Sequence, residues 1–262
     1  MATIADILQF IDSIAPSHMA EDWDKIGLNC GRLNHSVKKV LVALDPFPHV
    51  CKEAVEIGAD LLLTHHPLIW EPGFITDATT QGLCVLDLTE HGIAHICAHT
   101  NLDCAPEGVN DTLANVLGLS NTVVIAPKGT TTDGKQWGLM RIGDVPTQSL
   151  ETFLDSVKKS LNCDGLRYVD SNKRVKRVAV GGGACGSELQ DAIDAGCDTF
   201  ITSDVKYNQF WNAKEVGINL IDAGHFHTEN PVCNVLAQKL ASAFPDVDVL
   251  LSKTHHDCVK YC

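Results

Sequence analysis

The sequence predicts an α/β fold of two repeated β-α-β-α-β lobes, with mostly parallel sheets covered by helices and a small inserted hairpin and helix region. Three observations predict it: short apolar runs alternate with amphipathic segments, one such unit occurs twice, and glycine closes the predicted helix in each copy. The chain has 262 residues, near the upper limit for a single hydrophobic core. We therefore expect one module, with a first lobe at residues 1–120 and a second at residues 121–262.

The first predicted element is an amphipathic helix within MATIADILQFIDSIAP. Its apolar residues recur at helical spacing: Ile4, Ile7, Leu8 and Ile11. The segment lacks a basic region followed by a small-residue cleavage site, so a helix is favoured over a signal peptide.

The repeat occupies residues 38–64 (KKVLVALDPFPHVCKEAVEIGADLLLT) and 176–202 (KRVAVGGGACGSELQDAIDAGCDTFIT). At an offset of 138 residues, Lys38, Val40, Val42, Ala54, Gly58, Asp60 and Thr64 recur as Lys176, Val178, Val180, Ala192, Gly196, Asp198 and Thr202. Each copy is predicted as a strand, a loop containing glycine or proline, a short helix and a second strand. After a further helix, HGIAHICAHTNLD (91–103) corresponds to VGINLIDAGHFHTE (216–229). Two such units imply mostly parallel strand pairing.

The segment between the repeats, residues 121–175, is predicted as a smaller elaboration of the second lobe. Its two apolar runs, VVIAP and QWGLMRIGDV, flank an Asp133-Gly134 pair that is typical of a hairpin turn. A helix with the sequence LETFLDSVKKSL is predicted to follow.

The composition excludes several classes of protein. A hydrophobic content of 45% and a charged content of 20% are typical of globular proteins, and no apolar run approaches the ~20 residues that span a bilayer. The net charge of −13 argues against a direct grip on nucleic-acid phosphates. It leaves a nucleotide substrate open, because a metal ion reverses the local charge. The eleven cysteines form no CxxC pair, so we expect free thiols and a cytoplasmic location.

Polar clusters follow the predicted strands: THHP after DLLL, HTNLD after AHICA, TSD after DTFI, and GHFHTE after NLIDA. Ligand sites of open α/β sheets lie beyond the carboxyl ends of the strands. Pro67 ends the strand before it, which allows both preceding histidines to turn toward one target. A single histidine is more often a core or loop residue, but the grouping favours metal binding. The candidates are His65, His66, His99, Asp103, His225, His227 and Glu229.

Longer motifs carry a resemblance to a known family: AEDWDKIGLNCG (20–31), GADLLLTHHPL (58–68), HTNLD (99–103), GVNDTLA (108–114), VAVGGGACG (178–186), DTFITSDVKY (198–207) and DAGHFHTE (222–229). The chain resembles the Nif-three-like dinuclear-metal family, whose members are also catalogued as GTP cyclohydrolase I type 2 homologues. The resemblance implies two divalent metal ions per chain, bound by His65, His66, Asp103, His225 and Glu229, with His99 in the same cleft. Zinc, iron and manganese all suit these ligands. It also implies a ring-shaped homo-oligomer, for which a hexamer is one candidate.

The expected function is therefore a dinuclear metal-dependent hydrolase, similar to GTP cyclohydrolase I type 2. Its substrate would be a small nucleotide-like or heterocyclic molecule, attacked by a metal-activated water. His99 and His227 are the candidates for general acid and base catalysis, and Asp24 is expected to orient one of them. The alternative is a non-catalytic metal-binding scaffold or regulatory interaction protein, and an iron-dependent redox enzyme is a third hypothesis. No membrane partner is expected.

Some positions depart from the family pattern without removing a predicted ligand: Lys25 stands where asparagine is frequent, Ser203 where glycine is frequent, Asn208 where histidine is frequent, and His227 where a small residue is frequent. Gly181-Gly182-Gly183 suggests either a phosphate-binding loop or, somewhat more strongly, a tight turn. GTTTDGK resembles a P-loop only by chance, because Gln136 replaces the required serine or threonine. For His255 and His256 a structural role is favoured.

Overall fold

Two sheets carry the fold, with four adjacent parallel strands in the first and three in the second. The computed structural model describes residues 1–71 and 73–262. The α-helices, in chain order, are α1 (Ile4–Ile14), α2 (Pro48–Glu56), α3 (Thr80–Glu90), α4 (Thr100–Cys104), α5 (Val109–Val116), α6 (Leu150–Leu161), α7 (Leu189–Asp194), α8 (Tyr207–Val216), α9 (His225–Glu229) and α10 (Pro231–Ala243). The strands are β1 (Gly27–Cys30), β2 (Lys39–Ala43), β3 (Leu61–Thr64), β4 (Ala94–Cys97), β5 (Ser120–Ile125), β6 (Gly129–Thr130), β7 (Gln136–Trp137), β8 (Met140–Gln148), β9 (Arg167–Val169), β10 (Val175–Val180), β11 (Thr199–Thr202), β12 (Asn219–Asp222) and β13 (Asp248–Leu251).

The first compact unit comprises Met1–Leu102 and Cys233–His256. Its sheet has the strand order β1-β4-β3-β2-β13, in which only β1 runs antiparallel to its neighbour within the described residues. Every residue of β3 and β4 is buried, as expected for parallel strands covered on both faces. Apolar side chains of α2 and α3, such as Val50 and Leu88, pack with Leu41 and Leu62 of the sheet.

The second compact unit comprises Asp103–Val232 and Asp257–Cys262. Its sheet has the order β5-β8-β10-β11-β12-β9, with β10, β11 and β12 parallel and the outer strands antiparallel. Alternate residues of its strands enter two separate cores. Val178 packs with α5 and α6, whereas Phe200 packs with α7 and α8.

The inserted region forms the predicted hairpin. The two short strands β6 and β7 pair antiparallel around the turn that contains Gly134, and β5 pairs with β8 outside them. Helix α6 has the predicted bounds. A boundary between lobes was expected after residue 120, whereas the two compact units of the structure meet between Leu102 and Asp103 in the sequence. The first unit also includes β13, which pairs with β2 in the first sheet.

The repeat is explained by equivalent backbone contacts in its two copies. Asp60 accepts hydrogen bonds from the backbone N–H groups of Lys38 and Lys39, at 2.7 and 3.0 Å. Asp198 accepts in the same way from Lys176 and Arg177. Each aspartate thus ties the start of the second strand to the start of the first. The repeated glycines, Gly58 and Gly196, have φ of +64° and +74° and end the helix of each copy.

All eleven cysteines lie among the described residues, and none of them forms a disulfide bond, as predicted. Among the described residues, no helix has both the length and the apolar character that crossing a membrane requires.

The segment after β13 is fixed by one carboxylate of α2. Glu53, which is 8% exposed, accepts hydrogen bonds from Ser252 Oγ, from the backbone N–H of Lys253, and from the backbone N–H and hydroxyl of Thr254. Burial raises the pKa of Glu53, but these hydrogen bonds outweigh it and leave the pKa below its usual range.

Glu53→Gln is therefore expected to lower the free energy of unfolding by about 1–2 kcal/mol at pH 7, because an amide accepts more weakly than a carboxylate and offers only one oxygen. The folded pKa lies below the unfolded value, so the stabilisation is present above about pH 4.3 and is lost as the pH falls through the folded pKa. When the free energy of unfolding is measured with urea from pH 7 to pH 3, the difference between wild type and Glu53→Gln should become smaller. Exposed Glu56→Gln on the same helix is the control, and an equal loss in both variants would contradict the assignment.

Candidate metal-binding residues

The carboxyl ends of β2, β3 and β4 lie at the same edge of the first sheet because these strands are parallel. His65 and His66 follow β3, and His99 follows β4. Each of these residues offers a ring nitrogen that lies within 4.8 Å of the other two. His65 is fully buried and His99 is 9% exposed. The first unit therefore groups three of the predicted residues into a set that can bind a metal ion.

A hydrogen-bond acceptor holds Nδ1 of each imidazole in this set. Nδ1 of His65 lies 2.8 Å from the backbone oxygen of Ala98, and Nδ1 of His66 lies 2.6 Å from Asp45 Oδ1. Nδ1 of His99 lies 2.9 Å from Asp24 Oδ1. Because an ionised carboxylate or a carbonyl only accepts, Nδ1 carries the hydrogen and Nε2 carries the lone pair. This second-sphere arrangement is typical of histidines that bind metals through Nε2.

The two aspartates that hold these rings are themselves kept ionised. Burial raises the pKa of Asp24, but hydrogen bonds from His99 and Thr100 outweigh it, so the pKa lies well below its usual range. Burial also raises the pKa of Asp45, but hydrogen bonds from His255 and His66 lower it by more, so this pKa too lies well below its usual range. Asp24 was expected to orient His99 or His227, and its contact is with His99.

The turn after β3 depends on a hydrogen-bonded chain that starts in β4. Thr64 Oγ1 donates to the backbone oxygen of His66 at 2.5 Å and lies 2.8 Å from Nε2 of His95. Since the threonine hydrogen goes to His66, His95 must donate through Nε2. His95 is fully buried, and burial lowers its pKa to about 3, so the ring is neutral. These two hydrogen bonds fix the backbone at the turn where His65 and His66 follow β3.

The second unit contains Asp103, His225 and Glu229. Nε2 of His225 lies 2.9 Å from Glu229 Oε2, as predicted from their spacing along α9. An oxygen of Glu229 lies within 4.8 Å of an oxygen of Asp103, and these two residues are 4% and 6% exposed. Nδ1 of His225 lies 2.6 Å from Asp204 Oδ2, which repeats the arrangement of His66 with Asp45. Two buried carboxylates this close repel each other, and a bound cation would relieve that repulsion.

The glycine-rich loop after β10 forms a tight turn that packs against Glu229. The backbone N–H of Gly182 donates to Asn110 Oδ1 at 2.7 Å, and that of Gly183 donates to Thr228 Oγ1 at 3.1 Å. These donors are used by the protein itself, which favours the tight turn over the phosphate-binding loop. A Cβ atom at Gly183 would lie only 2.1 Å from Glu229 Oε1. Asn110 also donates to the backbone oxygen of Asp103, which ties both carboxylate-bearing segments to the loop.

His227 differs from the other predicted histidines. Its Nδ1 lies 3.2 Å from the backbone oxygen of Leu161, and its Nε2 lies 3.1 Å from Asp257 Oδ2. In the described part of the chain, His227 belongs to no group of three metal-capable side chains. Its role in acid and base catalysis stays a prediction, as do the individual roles of the other site residues.

The donor chemistry of both sets fits a divalent transition metal. The first unit offers three imidazoles in one group, and in the second unit Glu229 lies close to the imidazole of His225 and to the carboxylate of Asp103. Such mixed nitrogen and oxygen donors suit zinc, iron and manganese. Sequence reasoning missed the roles of Asp45, Asp204 and Gly183. A signal was present, because all three lie within three residues of the end of a strand of the repeat.

Comparison with known proteins agrees with this description. A family model described as Duf34/NIF3 (NGG1p interacting factor 3) matches residues 2–258. The GTP cyclohydrolase 1 type 2 homolog of Clostridium perfringens is 34% identical over 256 residues, covering 96% of this chain and 97% of the relative. The solved structure of a Bacillus cereus protein related to NIF3 has a TM-score of 0.94 at 26% identity, covering 100% of this chain and 99% of that one. Staphylococcus aureus protein SA1388 has a TM-score of 0.90 at 30% identity, covering 100% and 99%. The predicted resemblance and α/β fold are confirmed.

Gly183→Ala is expected to abolish or strongly weaken metal binding in the second unit while leaving the protein folded. The new methyl group would collide with Glu229 Oε1, which is the end of a side chain, so the carboxylate moves and the backbone stays. Metal affinity is measured by competition with a chromophoric chelator, and folding by circular dichroism.

Gly196→Ala is the matched control for this experiment. Gly196 also has a positive φ, of +74°, but an added Cβ atom there meets nothing within 4 Å. Both variants should lose about 1–2 kcal/mol of stability from the left-handed backbone, and only Gly183→Ala should lose metal. Equal metal affinity in the two variants would contradict the position assigned to Glu229.

Proposed function

The chain belongs to the Duf34/NIF3 family, and on this premise we propose that it is a dinuclear metal-dependent hydrolase acting on a small nucleotide-like or heterocyclic substrate. The observation that carries the proposal is the shared orientation of three imidazoles in the first unit. His65, His66 and His99 each have Nδ1 against an oxygen acceptor. Nε2 is then the nitrogen that can bind a metal in His65 and His66, and the nitrogen that can exchange a proton in His99.

We retain the predicted ligand set of His65, His66, Asp103, His225 and Glu229. Bound divalent ions would lower the pKa of a water molecule and stabilise negative charge that develops on the substrate. The ligands hold the ions, and the buried aspartates behind the imidazoles maintain their orientation. Zinc, iron and manganese remain the candidates.

His99 is the better supported acid and base candidate. Asp24 holds the Nδ1 hydrogen of His99, so the ring would exchange protons with a substrate at Nε2. The side chain of Asp24 is itself fixed by the backbone N–H of Thr100 at 2.9 Å and by the Thr100 hydroxyl. His227 is less favoured, because both of its ring nitrogens already contact oxygen atoms.

Two exposed tryptophans beside His99 favour a planar substrate. The rings of Trp23 and Trp70 are near parallel, at 20°, with centroids 6.5 Å apart. Both meet the His99 ring edge-on, at centroid distances of 6.0 and 5.3 Å. They remain 57% and 45% exposed, so they offer apolar faces to a ligand. Aromatic surfaces of this kind stack with heterocycles such as nucleobases.

The position of Trp70 is fixed by its backbone. The N–H of Trp70 donates to Gln81 Oε1 at 3.1 Å, and the N–H of Leu68 donates to Asn29 Oδ1 at 3.0 Å. Trp23 immediately precedes Asp24, whose carboxylate is hydrogen-bonded to His99. A stacking surface on anchored backbone needs little ordering when a ligand binds.

The name of the Clostridium perfringens relative makes GTP the first substrate to test. The alternative function is a non-catalytic metal-binding scaffold or regulatory interaction protein. The family description, which names an interacting factor, is the observation that supports it. Turnover of GTP by the metal-loaded protein supports the hydrolase. Full metal occupancy without turnover of GTP or other heterocycles favours the regulatory partner. The homo-oligomeric ring stays a prediction that light scattering measures.

Elemental analysis of anaerobically purified protein is expected to find about two metal ions per chain. His65→Ala and Glu229→Gln should each lower the metal content with an unchanged circular dichroism spectrum, because each removes one ligand. His91→Ala is the control, since His91 is an exposed histidine at the end of α3. Metal-free wild-type protein, or full occupancy in both ligand variants, would contradict the proposal.

Trp70→Ala and Trp23→Ala are expected to weaken binding of GTP and guanosine by roughly 5- to 150-fold, because each loses a stacking surface worth about 1–3 kcal/mol. Metal content should not change. Trp211→Ala is the matched control, because Trp211 is 53% exposed but lies on α8 of the second unit. Isothermal titration of all three variants checks this, and a loss of affinity as large in Trp211→Ala would count against a specific stacking surface.

A further inference from the structure

We propose that His255 is a positioning residue for metal binding, which acts by holding Asp45 in the orientation that directs the imidazole of His66. The inference rests on the proposed metal site and adds to it a residue from the far end of the chain. His255 itself is not a metal ligand in this proposal.

Asp45 connects the two histidines through its two carboxylate oxygens. Asp45 Oδ1 lies 2.6 Å from His66 Nδ1, and Asp45 Oδ2 lies 2.9 Å from His255 Nε2. The exposed fractions of the three side chains are 17% for Asp45, 12% for His66 and 4% for His255. Each oxygen of the carboxylate thus faces a different ring. A carboxylate held at both oxygens cannot rotate about its Cβ–Cγ bond without breaking one of these contacts.

The backbone around His255 is anchored independently of Asp45. The N–H of His255 donates to Ser252 Oγ at 3.1 Å, and Ser252 Oγ donates to Glu53 Oε2 at 2.5 Å. The ring of Phe47 meets the His255 ring edge-on at 6.0 Å, and the ring of His49 lies 5.8 Å away. The imidazole of His255 is therefore placed by hydrogen bonds and ring contacts within the first unit. It can serve as a fixed donor to Asp45.

This arrangement extends the orientation of His66 by one more residue. His66 needs its hydrogen on Nδ1 so that Nε2 presents a lone pair, and Asp45 enforces this. If His255 were absent, Asp45 Oδ2 would seek another donor, and the carboxylate could turn away from His66. Metal affinity should therefore depend on a residue that does not touch the metal.

The test compares zinc affinity in chelator-stripped full-length protein, by competition with a chromophoric chelator. His255→Ala is expected to weaken zinc binding by about tenfold, at the lower end of the 10- to 100-fold range for partners that orient ligands. His255→Gln should retain most of the affinity, because the glutamine amide can donate to Asp45 Oδ2. His256→Ala should match wild type, since the exposed His256 contacts the backbone oxygen of Thr254 and not Asp45.

A double-mutant cycle separates positioning through Asp45 from a general loss of structure. Asp45→Asn should weaken zinc binding by itself, and adding His255→Ala to it should cause no further loss, because His255 acts only through Asp45. A merely structural role for His255 would give independent losses that multiply. It would also lower the affinity of His255→Gln as much as that of His255→Ala.

The outcomes distinguish this inference from the proposed function. If wild-type protein binds zinc but His255→Ala binds it equally well, or if the losses in the cycle multiply, the role of His255 is overturned and the metal site stands. If wild-type protein binds no zinc, iron or manganese, both proposals fail together. Strong coupling in the cycle with rescue by glutamine supports the role of His255.

Discussion

The hydrogen bond between an imidazole Nδ1 and an oxygen acceptor is the interaction on which the proposed chemistry depends. His66, His99 and His225 each have a carboxylate in this place, supplied by Asp45, Asp24 and Asp204. Burying a carboxylate is costly unless hydrogen bonds replace its water. Asp24 and Asp45 each accept hydrogen bonds from two residues, His99 and Thr100 for Asp24 and His66 and His255 for Asp45, which is why the pKa of each stays low despite burial. The imidazoles are thus oriented before any metal binds.

The repeat supplies the scaffold, and its diverged positions supply the chemistry. Asp60 and Asp198 have equivalent backbone partners. Thr64 and Thr202 both donate to a backbone oxygen of a loop, Thr64 to His66 after β3 and Thr202 to Gly183 after β10. At the same offset of 138 residues, His66 corresponds to Asp204, and Asp45 corresponds to Gly183. The last exchange has a steric reason.

At Gly183 a side chain like that of Asp45 would occupy the space of the Glu229 carboxylate. The first unit uses an aspartate after its first repeat strand to orient a histidine. The second unit has no side chain at that position, and the carboxylate of Glu229 from α9 lies there instead.

Prediction from sequence succeeded where the signal is local: buried apolar runs indicated the parallel strands, and the spacing of His225 and Glu229 placed them on one face of a helix. The contact between Asp45 and His255 and the pairing of β13 with β2 could not be predicted from the sequence. Both join segments that are far apart in the sequence, so no local pattern indicates them.

Charge balance gives the two ligand sets different characters. In the first unit the proposed ligands His65 and His66 are neutral imidazoles, and the negative charges lie behind the rings, on Asp45 behind His66 and on Asp24 behind His99. In the second unit, Asp103 and Glu229 offer their charge directly, and Asp204 adds another behind His225. Each unit therefore provides at least two negative charges for a divalent ion. Neutral nitrogen ligands neutralise less of an ion's charge than carboxylates do, so an ion held by the first set would polarise a water or a substrate oxygen more strongly. The stacking tryptophans and the acid and base candidate His99 belong to that same unit, which makes it the better place to look for the reacting end of a substrate.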